Sequence, residues 1–124
     1  MIRGSVNAFR QAIIKLPVRD GSGQTQDILA AIDTGFSGFL TLAPDVITRL
    51  GLPFVETRYY TLGDARDVEL RLFRVVIVWD GVDRVVLAVE ADDDALIGME
   101  MLENHQLFID VRDEGEVRIE SQSE

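Results

Sequence analysis

The chain has 124 residues, 47% of them hydrophobic, with no cysteine and one histidine, which is enough apolar content for one compact core. Its 12 Lys+Arg against 22 Asp+Glu leave a formal net charge of −10, and no basic cluster is set apart, so a nucleic-acid backbone would be repelled. Without cysteine there is no disulfide frame, thiolate nucleophile or thiolate metal site, and one histidine cannot build a His-rich metal centre. Any catalysis in this chain is therefore expected to rest on carboxylates.

In chain order, a near-period of two from Val6 to Val18 predicts a half-buried strand. Arg19-Asp20-Gly21-Ser22-Gly23 then turns it back as Gln26 to Ile32. Phe39 to Leu42 reads as a short strand. Pro44 opens a short helix that runs to about Leu50 and stops at Gly51. Val55 to Leu62 and Val68 to Trp79 read as long strands joined by the polar turn Gly63-Asp64-Ala65-Arg66-Asp67, which should project as a hairpin tip. Asp80-Gly81 is the next tight turn and Arg84 to Ala91 the next strand.

Asp92-Asp93-Asp94 reads as a solvated corner, since it lacks the alternating ligands and spaced Glu of a calcium loop. Ala95-Leu96-Ile97-Gly98 follows as a buried apolar run, then a short helix from about Met99 to Asn104. A strand from Gln106 to Val111, a turn at Asp113-Glu114-Gly115 and a strand from Glu116 to Glu120 complete the pattern. Many short strands and only two short helices predict a mostly β, closed or partly closed barrel. Residues 1–120 form one domain in this reading, and 121–124 a polar tail. No segment has the basic and apolar regions of a secretory signal or the roughly 18 apolar residues of a membrane span, which predicts a cytoplasmic protein with no membrane contact.

The segment that carries chemistry is Ala31-Ile32-Asp33-Thr34-Gly35-Phe36-Ser37-Gly38-Phe39-Leu40. An apolar strand runs into a carboxylate, a hydroxyl and a glycine, and an apolar strand then resumes. Such a turn sets Asp33 at the end of buried β structure, lets Thr34 brace the loop, and lets the chain turn at Gly35 without a Cβ. Chance alone would place Asp-Thr-Gly in roughly 5% of shuffled versions of this chain, and an aspartate before a glycine is also a common inert turn. The weight therefore falls on the flanking apolar strands and on the later Leu96-Ile97-Gly98.

Asp33-Thr34-Gly35-Phe36-Ser37 together with Ala95-Leu96-Ile97-Gly98-Met99-Glu100-Met101-Leu102 resembles the paired signature of the retropepsin-like (clan AA) aspartic proteases, in particular their small bacterial members. The order of elements is also similar over most of the chain. The resemblance implies an acid-protease fold, a catalytic role for Asp33, and support of the active-site loop by Thr34, Gly35 and Ser37. It implies a substrate-covering flap with Leu62, Gly63, Asp64 and Ala65 at its tip, and a buried motif at Leu96, Ile97 and Gly98. Phe36 stands where pepsin-like members carry a hydroxyl residue. Met99 and Ser37 stand where retroviral members carry an ion pair, so both halves of that pair are absent together.

Amide hydrolysis by this route needs two carboxylates sharing one proton about a water, and the chain holds one Asp-Thr-Gly. A homodimer with C2 symmetry would bring one Asp33 from each subunit to the axis and act on an extended peptide or protein substrate, with no metal and no cofactor needed in this reading. The competing reading is a catalytically inactive dimeric β-barrel that binds peptides or proteins. His105 could serve Ser37 as a base, but a histidine after a short helix is more often a cap or surface residue.

Overall fold

A computed structural model describes residues 1–61 and 63–122, with residues 60 and 61 as backbone only. Ten strands and two helices follow in order: β1 (Ile2–Val6), β2 (Ala12–Arg19), β3 (Thr25–Ile32), β4 (Leu40–Leu42), α1 (Pro44–Leu50), β5 (Phe54–Thr61), β6 (Asp67–Trp79), β7 (Val82–Glu90), β8 (Ala95–Ile97), α2 (Met99–Leu102), β9 (His105–Ile109) and β10 (Glu116–Ser121). The strands hydrogen-bond in the order β5-β6-β7-β4-β8-β3-β2-β1-β10-β9, and an added pairing of β6 with β2 closes six of them, from β6 round to β2, into a barrel. The expected mostly β barrel with short helices is thus what forms.

Closure is narrow. Val18 pairs with Ile77 and Arg19 with Val76, and the Arg19 guanidinium forks onto Asp83 of β7 through Nε at 2.9 Å and Nη2 at 3.0 Å. Donation by Arg19, with its charge, holds the Asp83 carboxyl below the usual carboxylate range. Inside the barrel Val18, Leu40, Leu42, Ile77, Ala88 and Ile97 are wholly buried. Each large aliphatic side chain removed from water in this way contributes about 1.5–3 kcal/mol before entropy is counted.

The local chemistry follows from the residues. Asp80 and Gly81 both take positive φ, 52° and 82°, which is the two-residue turn whose twist suits a hairpin between Trp79 and Val82. Helix α1 starts at Pro44 and ends at Gly51 in the left-handed region (φ 65°), where backbone N–H groups bond back to Ile47 and Thr48. Asp20 organises the β2–β3 turn, its Oδ1 accepting from Ser22 N and Gln24 N at 2.9 and 3.0 Å. The turn is tied to α1 by Gly21 N donating to Leu50 O at 2.8 Å.

Three expectations are corrected. The single strand from Val6 to Val18 is two strands, β1 and β2, joined by a turn over residues 7–11. Asn7 Oδ1 accepts from Phe9 N and Gln11 N at 2.9 and 3.0 Å, and Arg10 sits at φ 62°. The even positions 6, 12, 14, 16 and 18 are all buried, so the alternation keeps its parity across the turn and conceals it. Helix α2 ends at Leu102 rather than near Asn104, because Glu103 is extended and Asn104 is left-handed at φ 64°. Ser121 belongs to β10, opposite His105, while Ser123 and Glu124 of the expected tail lie outside the described residues. No described helix is long and apolar enough to cross a membrane.

Candidate functional site

Strand β8 lies between β3, which runs parallel to it, and β4, which runs antiparallel. The 33–39 loop that joins β3 to β4 must therefore pass across the C-terminal end of β8, and that crossing builds the site. Parallel pairing of Ala30, Ala31 and Ile32 with Ala95, Leu96 and Ile97 continues one step further as Asp33 N donates to Ile97 O at 2.9 Å. Beyond Ile97 the two chains are stitched backbone to backbone: Gly98 N to Phe39 O at 3.0 Å, Met99 N to Phe36 O at 2.8 Å and Glu100 N to Gly38 O at 3.1 Å. The motifs at Asp33 and Leu96, 63 positions apart in the chain, are in this way one structural unit.

Gly98 is what permits the crossing. A Cβ there would lie 2.2 Å from Gly38 O and 2.7 Å from Phe36 O, distances that no side chain tolerates. Thr41, the one buried polar residue among those described, secures the other flank by accepting a hydrogen bond from Leu96 N on its Oγ1 at 2.9 Å. Sequence reasoning did not single it out, since one threonine in Leu-Thr-Leu looks like any strand residue.

The Asp33 side chain is half-buried. Its Oδ1 accepts from Gly35 N at 2.9 Å, and a Cβ on Gly35 would crowd that oxygen at 3.2 Å. The carboxylate is thus aimed by its own loop while it faces a groove of about 380 Å³ that Thr34, Leu96, Arg10 and Gln11 also line. Thr34 is exposed beside it. Ser37 turns the other way and, with Phe36, Gly38 and Phe39, borders a pocket of about 580 Å³ beneath the β5–β6 hairpin. The loop is accordingly a ridge with the carboxylate on one slope and its aromatic residues on the other.

Of the expected hairpin tip, Gly63, Asp64 and Ala65 form an exposed turn. Asp64 accepts from Arg66 N at 3.2 Å and from Arg66 Nε at 2.6 Å. Leu62 lies outside the described residues. Of the described tip residues, Gly63, Asp64 and Ala65 line neither hollow beside the loop; the hairpin contributes there through its arms, with Arg58 of β5 and Val68, Leu70 and Leu72 of β6. Those arm residues, and Arg10 and Gln11 in the groove that Asp33 lines, border the two hollows and were not singled out by the sequence. A signal was present in β6 and β7, where both faces of the strands carry apolar residues.

His105 is occupied elsewhere: its Nε2 accepts from Trp79 Nε1 at 3.0 Å and its Nδ1 bonds Glu103 O at 2.7 Å. Both ring nitrogens hold the α2–β9 corner, and Ser37 gains no base from it. Among the described residues no three His, Asp or Glu side chains gather as a metal site would require. Comparison with models of protein families, with curated proteins and with solved structures finds no match for this chain.

Proposed function

We propose that this chain is a retropepsin-like aspartic endopeptidase that works as a homodimer, each subunit supplying one Asp33. The observation that carries the reading is the backbone clasp between the Asp33 loop and Gly98–Glu100, which holds a half-exposed carboxylate at the end of buried strands. A carboxylate kept in a simple turn would need no such clasp. The exposed Thr34 next to it supports the view that this end of the barrel meets a second copy.

A C2 axis beside Thr34 brings two Asp33 carboxylates together, and two such groups in contact cannot both ionise. As in aspartic proteases generally, the ionised one takes a proton from water as the oxygen attacks the amide carbonyl, while the protonated one donates to the carbonyl oxygen. Breakdown of the tetrahedral intermediate then passes a proton to the leaving nitrogen. The substrate lies extended beneath the β5–β6 hairpin, its main chain hydrogen-bonded and its side chains selecting pockets.

The deciding experiment replaces Asp33 by Asn in the assembled dimer. Asp33→Asn is expected to keep the far-ultraviolet dichroism and dimer mass of the parent while cleavage of a peptide library falls at least about a thousandfold. Cleavage that persists in the purified variant defeats the assignment. Two Asp33 carboxylates far apart in the dimer would instead favour a peptide-binding barrel without turnover, a reading for which the missing ion pair at Ser37 and Met99 is the motive.

A further inference from the structure

His105 and Trp79 are the chain's one histidine and one tryptophan, and they bond to each other. Trp79 is buried at the end of β6, beside the Asp80-Gly81 turn, and His105 is half-buried at the start of β9. Those strands are not neighbours in the sheet, whose order ends at β9, so the bond ties together two parts of the fold that share no ladder. The rings meet edge to face, their centroids 5.7 Å apart and their planes at 80°.

The hydrogens of this contact leave it one working state. Glu103 O can only accept, so the Nδ1 that lies 2.7 Å from it carries a hydrogen. Nε2 is then bare and accepts from Trp79 Nε1 at 3.0 Å, a group that can only donate. The neutral imidazole satisfies both neighbours. A charged imidazole carries a hydrogen on each nitrogen, so two N–H groups would face each other where the bond had been. One ring must then move, and the buried indole N–H loses its acceptor with no water to replace it.

That corner is one helical turn from the Asp33 loop. Helix α2 spans Met99–Leu102, and the N–H groups of Met99 and Glu100 donate to Phe36 O and Gly38 O. Glu103, the next residue after the helix, is held by His105. Four residues closed by one bond, Leu102 N to Gly98 O at 3.3 Å, have little slack to absorb a shift, so movement at 103–105 is passed to the clasp. The ionisable groups on the surrounding elements have other partners or face water. Asp80, next to Trp79, pairs with the Met1 ammonium at 2.6 Å. On β7, Asp83 pairs with Arg19 at 2.9 Å, and Arg84 donates to Met101 O at 3.3 Å. Glu120 of β10 pairs with Arg118 at 3.6 Å, and Glu100 and Glu103 are exposed.

We propose that the His105–Trp79 pair is an acid-sensitive latch on the Asp33 loop: charging His105 parts it from Trp79, frees the α2–β9 corner and loosens the clasp of Met99 and Glu100 on residues 36 and 38. Imidazoles ordinarily gain their charge between about pH 5 and 8, so the latch is shut at neutral pH and opens in mild acid. It acts on the loop whether or not Asp33 cleaves peptides and is independent of the peptidase reading.

Nuclear magnetic resonance of the parent protein reads the latch directly, because the chain has one imidazole and one indole to follow. As pH is lowered across the range of about 8 to 5 in which imidazoles charge, the Trp79 indole N–H resonance should shift upfield with the same midpoint as the His105 imidazole signals. Over the same range the Met99 and Glu100 amides should lose protection from hydrogen exchange, after correction for the pH dependence of intrinsic exchange. His105→Gln offers an amide that can accept from Trp79 but cannot charge, so its indole signal and its amide protection should stay constant with pH. Different midpoints for the two rings, or an indole shift that persists in His105→Gln, overturn the latch. Coincident midpoints with unchanged protection at Met99 and Glu100 overturn its link to the Asp33 loop. Should His105→Gln fail to fold, the midpoints and the amide protection of the parent decide both.

Discussion

At the scale of single residues, the site depends on which atoms are missing. Gly98 carries no side chain because the 36–38 backbone occupies that space, with Gly38 O only 2.2 Å from where a Cβ would stand. Gly98→Ala must therefore push the Asp33 loop off β8, and overpacking of this kind costs about 1–3 kcal/mol. A lower denaturant midpoint with an unchanged slope would register it, and a parent-like midpoint would mean that the loop does not cross Gly98 so closely. The two carboxylate-bearing turns also differ in kind. Asp20 accepts from Ser22 and Gln24 of its own turn and from Gln26, whereas Asp33 accepts from Gly35 and faces an open groove. Both read as Asp followed within two residues by small residues, so it was the apolar strands flanking Asp33, and not the turn residues, that set it apart in the sequence.

At the scale of elements, hairpins with strong turn chemistry were legible and crossings were not. Asp80-Gly81, Gly51 and Gly63-Asp64 announce their turns by residue type, and those turns stand where they were expected. The 7–11 turn was missed because Asn7, not a Gly or Pro, organises it and because buried parity is conserved on both sides. The β2–β3 turn gives a pH-dependent prediction. Donation from Ser22, the largest influence, and from Gln26 and Gln24 holds the Asp20 carboxyl below its ordinary value. A depressed carboxyl stabilises the fold above its unfolded pKa, near 3.9 for aspartate, and that stabilisation is lost as pH falls through the folded value. Asp20→Ala should therefore lower the melting temperature at pH 7 and converge on the parent as pH drops below about 4. A gap that stays constant with pH would remove the charge from the explanation.

At the scale of the whole molecule, closure of the barrel rests on a short contact. Among the described residues two ladder pairs, Val18–Ile77 and Arg19–Val76, join β2 to β6, and both Val18 and Ile77 are wholly buried. Ile77→Ala leaves a cavity at the seam and should cost about 2–5 kcal/mol. Hydrogen exchange of β2 and β6 amides should rise with it; a loss under about 1 kcal/mol would show that the seam is not where stability is concentrated. What the sequence determined by itself was local: the strand-rich barrel class, α1 with its Pro44 and Gly51 ends, the hairpin turns, and Asp33 and Leu96-Ile97-Gly98 as the segments worth attention. These follow from periodicity and backbone preferences that act over a few residues. Only the tertiary structure decided that β8 sits between β3 and β4 and that the Asp33 loop crosses Gly98. It also set the carboxylate and the Phe36 pocket on opposite slopes of one ridge. Those facts depend on which strands pair across the chain and on side chains meeting over long separations, and neither quantity has a signature in local residue order.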